Sequence, residues 1–282
     1  MDLIPPTTAF LGASATQTPS VILLGAPLDR TESFKSGTKE GPDRIRVVSD
    51  VLETYSPRLG LDLVDLQLAD WGNVALDGFD MASALDAIAQ AMGEACTIGL
   101  PILLGGEHTA SVGAIRGALA RYPDLVIVHA DAHTDLRDEY EGESMSHATV
   151  MRRVADDIGL DRIAQFGIRS GTREEFELAR SCMVSGSGME ISDDVLSRIR
   201  DRPIYLSIDI DVLDPSCAPG TGCPEPGGAT FFQLIELVYS LQVCNVVAVD
   251  VMEVLPAVDV NDITSTAAAK LVRECALAFS RS

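Results

Sequence analysis

Short runs of apolar, β-branched residues recur along the chain, separated by longer stretches whose apolar positions follow a helical period. Residues 21–25, 101–104, 125–129, 163–167, 204–208 and 246–249 form such runs and predict strands. Asp80 is placed to cap a helix over 81–96, where Ala84, Leu85, Ile88, Met92 and Ala95 share one face. A second helix over 109–121 stops at Tyr122-Pro123, because proline disfavours helix at the residue before it. Thr230 caps a third helix over 231–241, and Asp262 begins the last. Strands that are apolar throughout and alternate with helices of this length predict an α/β fold: three layers, α/β/α, around a mainly parallel central sheet. Residues 1–20 lack the pattern and read as an irregular N-terminal extension, with 21–282 as one domain. No internal repeat, low-complexity tract or long linker divides that stretch.

Composition narrows the class. Of 282 residues, 46% are hydrophobic, enough to bury a sizeable core. Acidic side chains number 42 against 21 basic ones, a formal net charge of −21. That balance argues against nucleic acid and against an anionic membrane surface, both of which need clustered Lys and Arg. No apolar run approaches the ~18–20 residues of a membrane-spanning helix, and Met-Asp-Leu-Ile-Pro-Pro lacks the features of a signal peptide. The six cysteines are scattered without Cys-x-x-Cys, which fits a reducing cytoplasm better than a disulfide framework. Only Lys35, Lys39 and Lys270 among the basic residues are lysines. Adaptation to a salty cytoplasm and drift in a GC-rich genome both account for that bias.

In open α/β sheets ligands bind beyond the carboxyl ends of the strands, so the polar residues there carry the chemistry. Three strand ends stand out: Gly105-Gly106-Glu107-His108-Thr109, His129-Ala130-Asp131-Ala132-His133-Thr134-Asp135, and Asp209-Ile210-Asp211-Val212-Leu213-Asp214-Pro215. Residues two apart on an extended chain share a face, which groups Asp131, His133 and Asp135, and likewise Asp209 and Asp211. With His108 these make six carboxylate or imidazole donors, more than one structural zinc requires, and no cysteine joins them. Hard oxygen donors with a minority of imidazole suit Mn²⁺, and six ligands serve two ions if aspartates bridge. Without cations, such acids would repel and desolvate one another. His129 lies within the apolar run and reads as a core histidine or a support behind the ligands. All four histidines fall between 108 and 147.

Gly-Gly-Glu-His-Thr, Asp-Ala-His-Thr-Asp and Ser-Ile-Asp-Ile-Asp-Val-Leu-Asp-Pro together resemble the signature blocks of the ureohydrolase (arginase/agmatinase) family. The glycine-rich stretch 219–228, the block Asp250-Val251-Met252-Glu253-Val254, and Gly25-Ala26-Pro27-Leu28-Asp29 followed by Ser36-Gly37-Thr38 extend the resemblance over about residues 21–275. The resemblance implies two Mn²⁺ per chain. One is held by His108, Asp131, Asp135 and Asp209; the other by His133, Asp131, Asp209 and Asp211. It further implies proton transfer by Asp135 and His147, a guanidinium partner in Glu253, and assembly into homo-trimers or hexamers. The implied reaction is hydrolysis of a guanidino group to urea and an amine. A guanidinium carbon is resonance-stabilised and cationic, so neutral water attacks it poorly, and paired divalent ions that acidify water answer that difficulty.

The loop 136–146 bears on the substrate. It carries Asp138, Glu139, Glu141 and Glu143 against the single Arg137. Such a loop suits an ammonium tail better than a carboxylate, making Asp138 and Glu139 candidate substrate contacts beside His147 and Glu253. Asp-Glu-Tyr-Glu-Gly followed by Ser-His-Ala-Thr also resembles agmatinases, particularly the archaeal type. The expected substrate is therefore agmatine, a small cationic guanidine, yielding putrescine for polyamine biosynthesis. N1-aminopropylagmatine, arginine and guanidinobutyrate are the alternatives. Two other classes remain: a family-like binding subunit without catalysis, which would have lost ligands, and a single-zinc deacylase, which would have no use for His108 and the doubled Asp-x-Asp.

Overall fold

The structure, a computed structural model, describes residues 2–280. Its centre is a nine-stranded sheet built from β1 (Leu3–Ile4), β2 (Val21–Ala26), β5 (Leu68–Val74), β6 (Leu100–Gly105), β7 (Val126–Ala130), β8 (Ile163–Phe166), β9 (Val184–Gly186), β10 (Pro203–Asp209) and β11 (Asn245–Met252). A separate two-stranded ribbon pairs β3 (Tyr55–Ser56) with β4 (Leu61–Asp62). The sheet order is β1-β5-β2-β6-β11-β10-β7-β8-β9, parallel throughout except for β1.

Alternation along each strand feeds two cores. Val21 and Leu23 of β2, with Val126 and Val128 of β7, pack on one face against α1 (Gly41–Ser49), α6 (Asp193–Ile199), α7 (Phe231–Ser240) and α8 (Ile263–Phe279). Ile22, Leu24 and Ile127 pack on the other face with α2 (Met81–Ala95), α3 (Ala110–Arg121), α4 (Val150–Ile158) and the end of α5 (Arg173–Ala179). The three-layer α/β/α arrangement is the one the pattern predicts. Helices α2 and α3 approach so closely that a Cβ at Gly117 would lie 2.3 Å from the Ala89 carbonyl oxygen. That contact packs the second half of α3, the helix that begins just after His108, against α2.

The predicted strands and helices are all present within one to three residues at their ends. Asp80 and Thr230 cap as expected, accepting from the Ser83 and Gln233 N–H groups. The last helix begins at Ile263, directly after Asp262, as expected, but Asp262 is left-handed, makes no cap bond and pairs with Arg44. Asp259 does the capping, accepting from the Thr264 and Ser265 N–H groups at 2.9 and 2.8 Å. Part of the stretch expected to be irregular also joins the sheet, since Leu3 and Ile4 pair antiparallel with Val74 and Asn73. Strand β5 escaped the pattern because Asp70, Trp71, Gly72 and Asn73 interrupt its apolar run, and α5 and α6 are seven-residue helices too short to show a period.

Candidate metal centre

Strands β6, β11, β10 and β7 lie side by side, and their carboxyl ends deliver the polar residues to one place. After β6, the buried Glu107 accepts hydrogen bonds from the Arg30 and Thr31 N–H groups and the Thr31 hydroxyl. Those bonds pin the loop that follows β2 over the site. His108 comes next. Its Nε2 lies 3.1 Å from Ser207 Oγ, whose own proton goes to Asp250 Oδ1 at 2.8 Å, so Ser207 accepts from the ring. The Nδ1 atom is thereby turned inward, to 3.2 Å from Asp131 Oδ2, 3.1 Å from Asp135 Oδ2 and 3.3 Å from Asp209 Oδ2. It is buried and makes no well-aligned hydrogen bond.

A second constellation adjoins the first. His133 Nδ1 sits 2.9 Å from Asp211 Oδ2 and 3.6 Å from Asp131 Oδ1. Asp131 therefore turns one carboxylate oxygen towards each histidine. Asp211 is held by the Ala132 N–H at 3.0 Å, and its own N–H reaches Asp209 Oδ1 at 2.8 Å across the turn Ile210–Val212. His129, fully buried, approaches Asp131 Oδ2 with Nε2 at 2.9 Å, while its Nδ1 receives the Gln165 amide at 3.1 Å. Gln165 also donates to the Thr134 carbonyl at 2.8 Å and accepts from Ser185 Oγ at 3.0 Å, which fixes the direction of its amide. His129 is thus a donor to Asp131, tied up on both nitrogens.

Charge is out of balance here. Burial, reinforced by neighbouring carboxylates, raises the pKa values of Asp209, Asp211 and Glu253. Burial opposes a charge on His108, yet Asp131, Asp135 and Asp209 outweigh it and raise its pKa. The space between these groups calls for positive charge. Imidazole and carboxylate donors without sulfur fit hard divalent ions, and a carboxylate with one oxygen on each side fits a pair.

The centre opens into a cavity of about 240 Å³ lined by His108, His133, Asp135, Asp209 and Asp211 at its floor and by Glu32, His147, Arg137, Glu175 and Glu253 on its walls. Glu253 Oε1 accepts from the His108 N–H at 2.6 Å, and Asp135 and Glu253 both adopt left-handed backbone conformations, with φ of 54° and 65°. Non-glycine residues pay for such a conformation, and here it is what aims both carboxylates inward. His147 Nε2 lies 3.3 Å from Ser33 Oγ, and its N–H donates to Thr31 Oγ1 at 3.0 Å. Asp138 and Glu139 are not on the cavity wall. Both are exposed, and Asp138 points away to Arg153 at 2.7 Å, with Arg152 at 3.6 Å. Sequence reasoning missed Glu32, Arg137 and Glu175. Glu107, inside the Gly-Gly-Glu-His block, was the available signal that the loop carrying Glu32 is tied to the site.

Comparison with known proteins identifies the family and the fold. The model of the Arginase family matches residues 19–278. Agmatinase of Bacillus subtilis is 43% identical over 264 residues, covering 92% of this chain and 91% of its own. The N(1)-aminopropylagmatine ureohydrolase of Thermococcus kodakarensis is 39% identical, covering 89% of this chain and 88% of its own. Among solved structures, the agmatine ureohydrolase of Thermoplasma volcanium superposes with a TM-score of 0.86 at 31% identity, over 98% of this chain and 95% of that one. The fold is the arginase-like α/β fold of ureohydrolases. The chain belongs to the arginase family, and it is an enzyme acting on guanidino groups. Among the described residues, no helix is long and apolar enough to cross a membrane.

Proposed function

We propose that this chain, read as one catalytic domain over 21–282, hydrolyses agmatine to putrescine and urea with two Mn²⁺ per protomer. The observation that carries the reading is the cavity floor, where two histidine–aspartate constellations share Asp131 and face Glu253. His108, Asp131, Asp135 and Asp209 would hold one ion; His133, Asp131, Asp209 and Asp211 the other. When bound, the ions supply an acidified water and stabilise charge developing on the guanidino carbon's substituents.

The chain's own groups do the rest. Glu253, fixed through the His108 N–H, presents its second oxygen to the guanidinium for a charge-assisted hydrogen bond. Asp135 accepts the proton of the attacking water and returns it to the departing amine nitrogen, so the C–N bond breaks as a neutral amine leaves. His147, at the cavity wall beside Ser33, relays protons between that amine and solvent. Production of putrescine gives the enzyme a place in polyamine biosynthesis. The scattered spacing of the six cysteines supports a reducing, cytoplasmic setting, and the family resemblance supports a homo-trimer or hexamer.

The test is urea release from agmatine, N1-aminopropylagmatine, arginine and 4-guanidinobutyrate in parallel. Agmatine should give the highest kcat/KM, and a higher value on any other compound overturns the substrate. Chelation should abolish turnover and Mn²⁺ should restore it; recovery with Zn²⁺ alone overturns the choice of metal.

A further inference from the structure

The acids of the loop 138–143 do not face the cavity, so preference for a cationic tail must come from elsewhere. Apart from the metal-centre residues and His147, the charged groups on the wall are Arg137, Glu175, Glu32 and Glu253. Arg137 and Glu175 answer one another. Arg137 Nε lies 3.3 Å from Glu175 Oε2, and its guanidinium stacks 4.8 Å from the Tyr140 ring centroid. Glu175 is further held by Thr134 Oγ1 at 2.6 Å and the Thr172 N–H at 2.7 Å. The one arginine of the wall is therefore already partnered and offers little to an anionic tail.

Glu32 and Glu253 have no such partner. Glu32 Oε1 accepts from Thr38 Oγ1 at 3.2 Å. Its Oε2 faces the same gap as Glu253 Oε2: a Cβ on Gly222 would meet them at 3.1 and 3.7 Å. The loop that carries Glu32 is anchored at both ends, by Glu107 on Arg30 and Thr31 and by Asp29 on the Gly37 N–H at 2.7 Å. Two carboxylate oxygens are thus held together in a half-buried gap with no lysine or arginine on either, among the described residues.

We propose that Glu32 is a specificity-determining residue: beside Glu253 it forms a two-carboxylate seat that favours guanidines carrying a second positive charge over those with neutral or anionic tails. This rests on guanidine hydrolysis as the reaction. One guanidinium neutralises one carboxylate. An ammonium on the tail balances the other, whereas a tail carboxylate adds a third negative charge in a partly dehydrated space.

The experiment compares wild type, Glu32→Gln and Glu32→Asp, all loaded with Mn²⁺, on agmatine, butylguanidine and 4-guanidinobutyrate. Urea release gives kcat and KM, and calorimetry gives Kd. Gln keeps the acceptor for Thr38, and Asp keeps the charge. The ratio of kcat/KM for agmatine to that for 4-guanidinobutyrate should fall about tenfold or more in Glu32→Gln, carried mainly by KM, the size expected of one unit charge several ångströms away. Butylguanidine should change least, and Glu32→Asp should hold most of the preference. A ratio in Glu32→Gln within about twofold of wild type overturns the proposal. If wild type releases urea from none of the three, guanidine hydrolysis fails as the reaction, and the ratio of Kd values still decides the role of Glu32.

Discussion

Two of the places where the protein buries charge deeply are built on opposite terms. Between α1 and β5, Arg46 places Nε and Nη2 on the two oxygens of Asp70, each at 2.9 Å, and Nη1 on Asn73 Oδ1 at 2.7 Å. Asp70 also accepts from the Phe10 and Gly72 N–H groups, each at 3.0 Å. Arg46 and Asp70 side chains are each 1% exposed, and their charges cancel within the chain. At the carboxyl ends of β6, β7, β10 and β11, Asp131, Asp135, Asp209, Asp211 and Glu253 are nearly as enclosed, lie close to one another, and have only imidazoles and peptide N–H groups as donors. Desolvating a charge costs several kcal/mol wherever it happens. In the first place the fold returns that cost through its own arginine. In the second the negative charge is left in excess, in a cluster that could hold a metal ion. At these two places, balanced burial belongs to the architecture and unbalanced burial to the site.

Substitutions break that contrast most sharply at Asp209. Asp209→Asn removes charge shared by both constellations, and urea release should fall about a thousandfold or more, since metal-supplied charge stabilisation is worth several kcal/mol. The same change relieves repulsion, so the chelated variant should melt no lower than chelated wild type; a lower melting point would put Asp209 with the architectural acids. Arg46 should behave the other way. Arg46→Met strands Asp70 and should cost about 3–5 kcal/mol in urea unfolding, while Arg46→Met with Asp70→Leu should recover most of it. A double variant as unstable as the single one would show that the cluster does more than cancel its own charges. Asp80→Ala, at an exposed helix start far from both, should cost about 1 kcal/mol and leave kcat/KM unchanged.

Much of the centre was legible because strand ends in a parallel sheet concentrate function, but the local route differs from plain alternation. Strand β7 ends at Ala130, and Asp135 reaches the centre through a left-handed residue rather than as the next tooth of an extended chain. Asp209 and Asp211 are brought together by a tight turn without a left-handed residue. Spacing found these residues even though turns, not pleating, bring them together. The loop 136–146 shows where spacing stops working. Its acids suggested a cationic tail site, yet Arg152 and Arg153 of α4 draw Asp138 outward while Arg137 turns in to Glu175. A charge count along a loop carries no direction, because direction depends on partners supplied by other elements.

The amino-acid sequence by itself determined the layered α/β plan, the strand ends that matter and the residue types gathered there. Each follows from local periodicity and from the chemistry that buried acids and imidazoles impose. The tertiary structure alone decided which loop acids face the cavity. Glu32 enters it because Glu107, 75 positions along the chain and close in space, ties down its loop. Asp259 rather than Asp262 caps the last helix because Arg44 claims the latter. Both outcomes depend on contacts between distant segments, which exist only once the chain has folded and which no local pattern encodes.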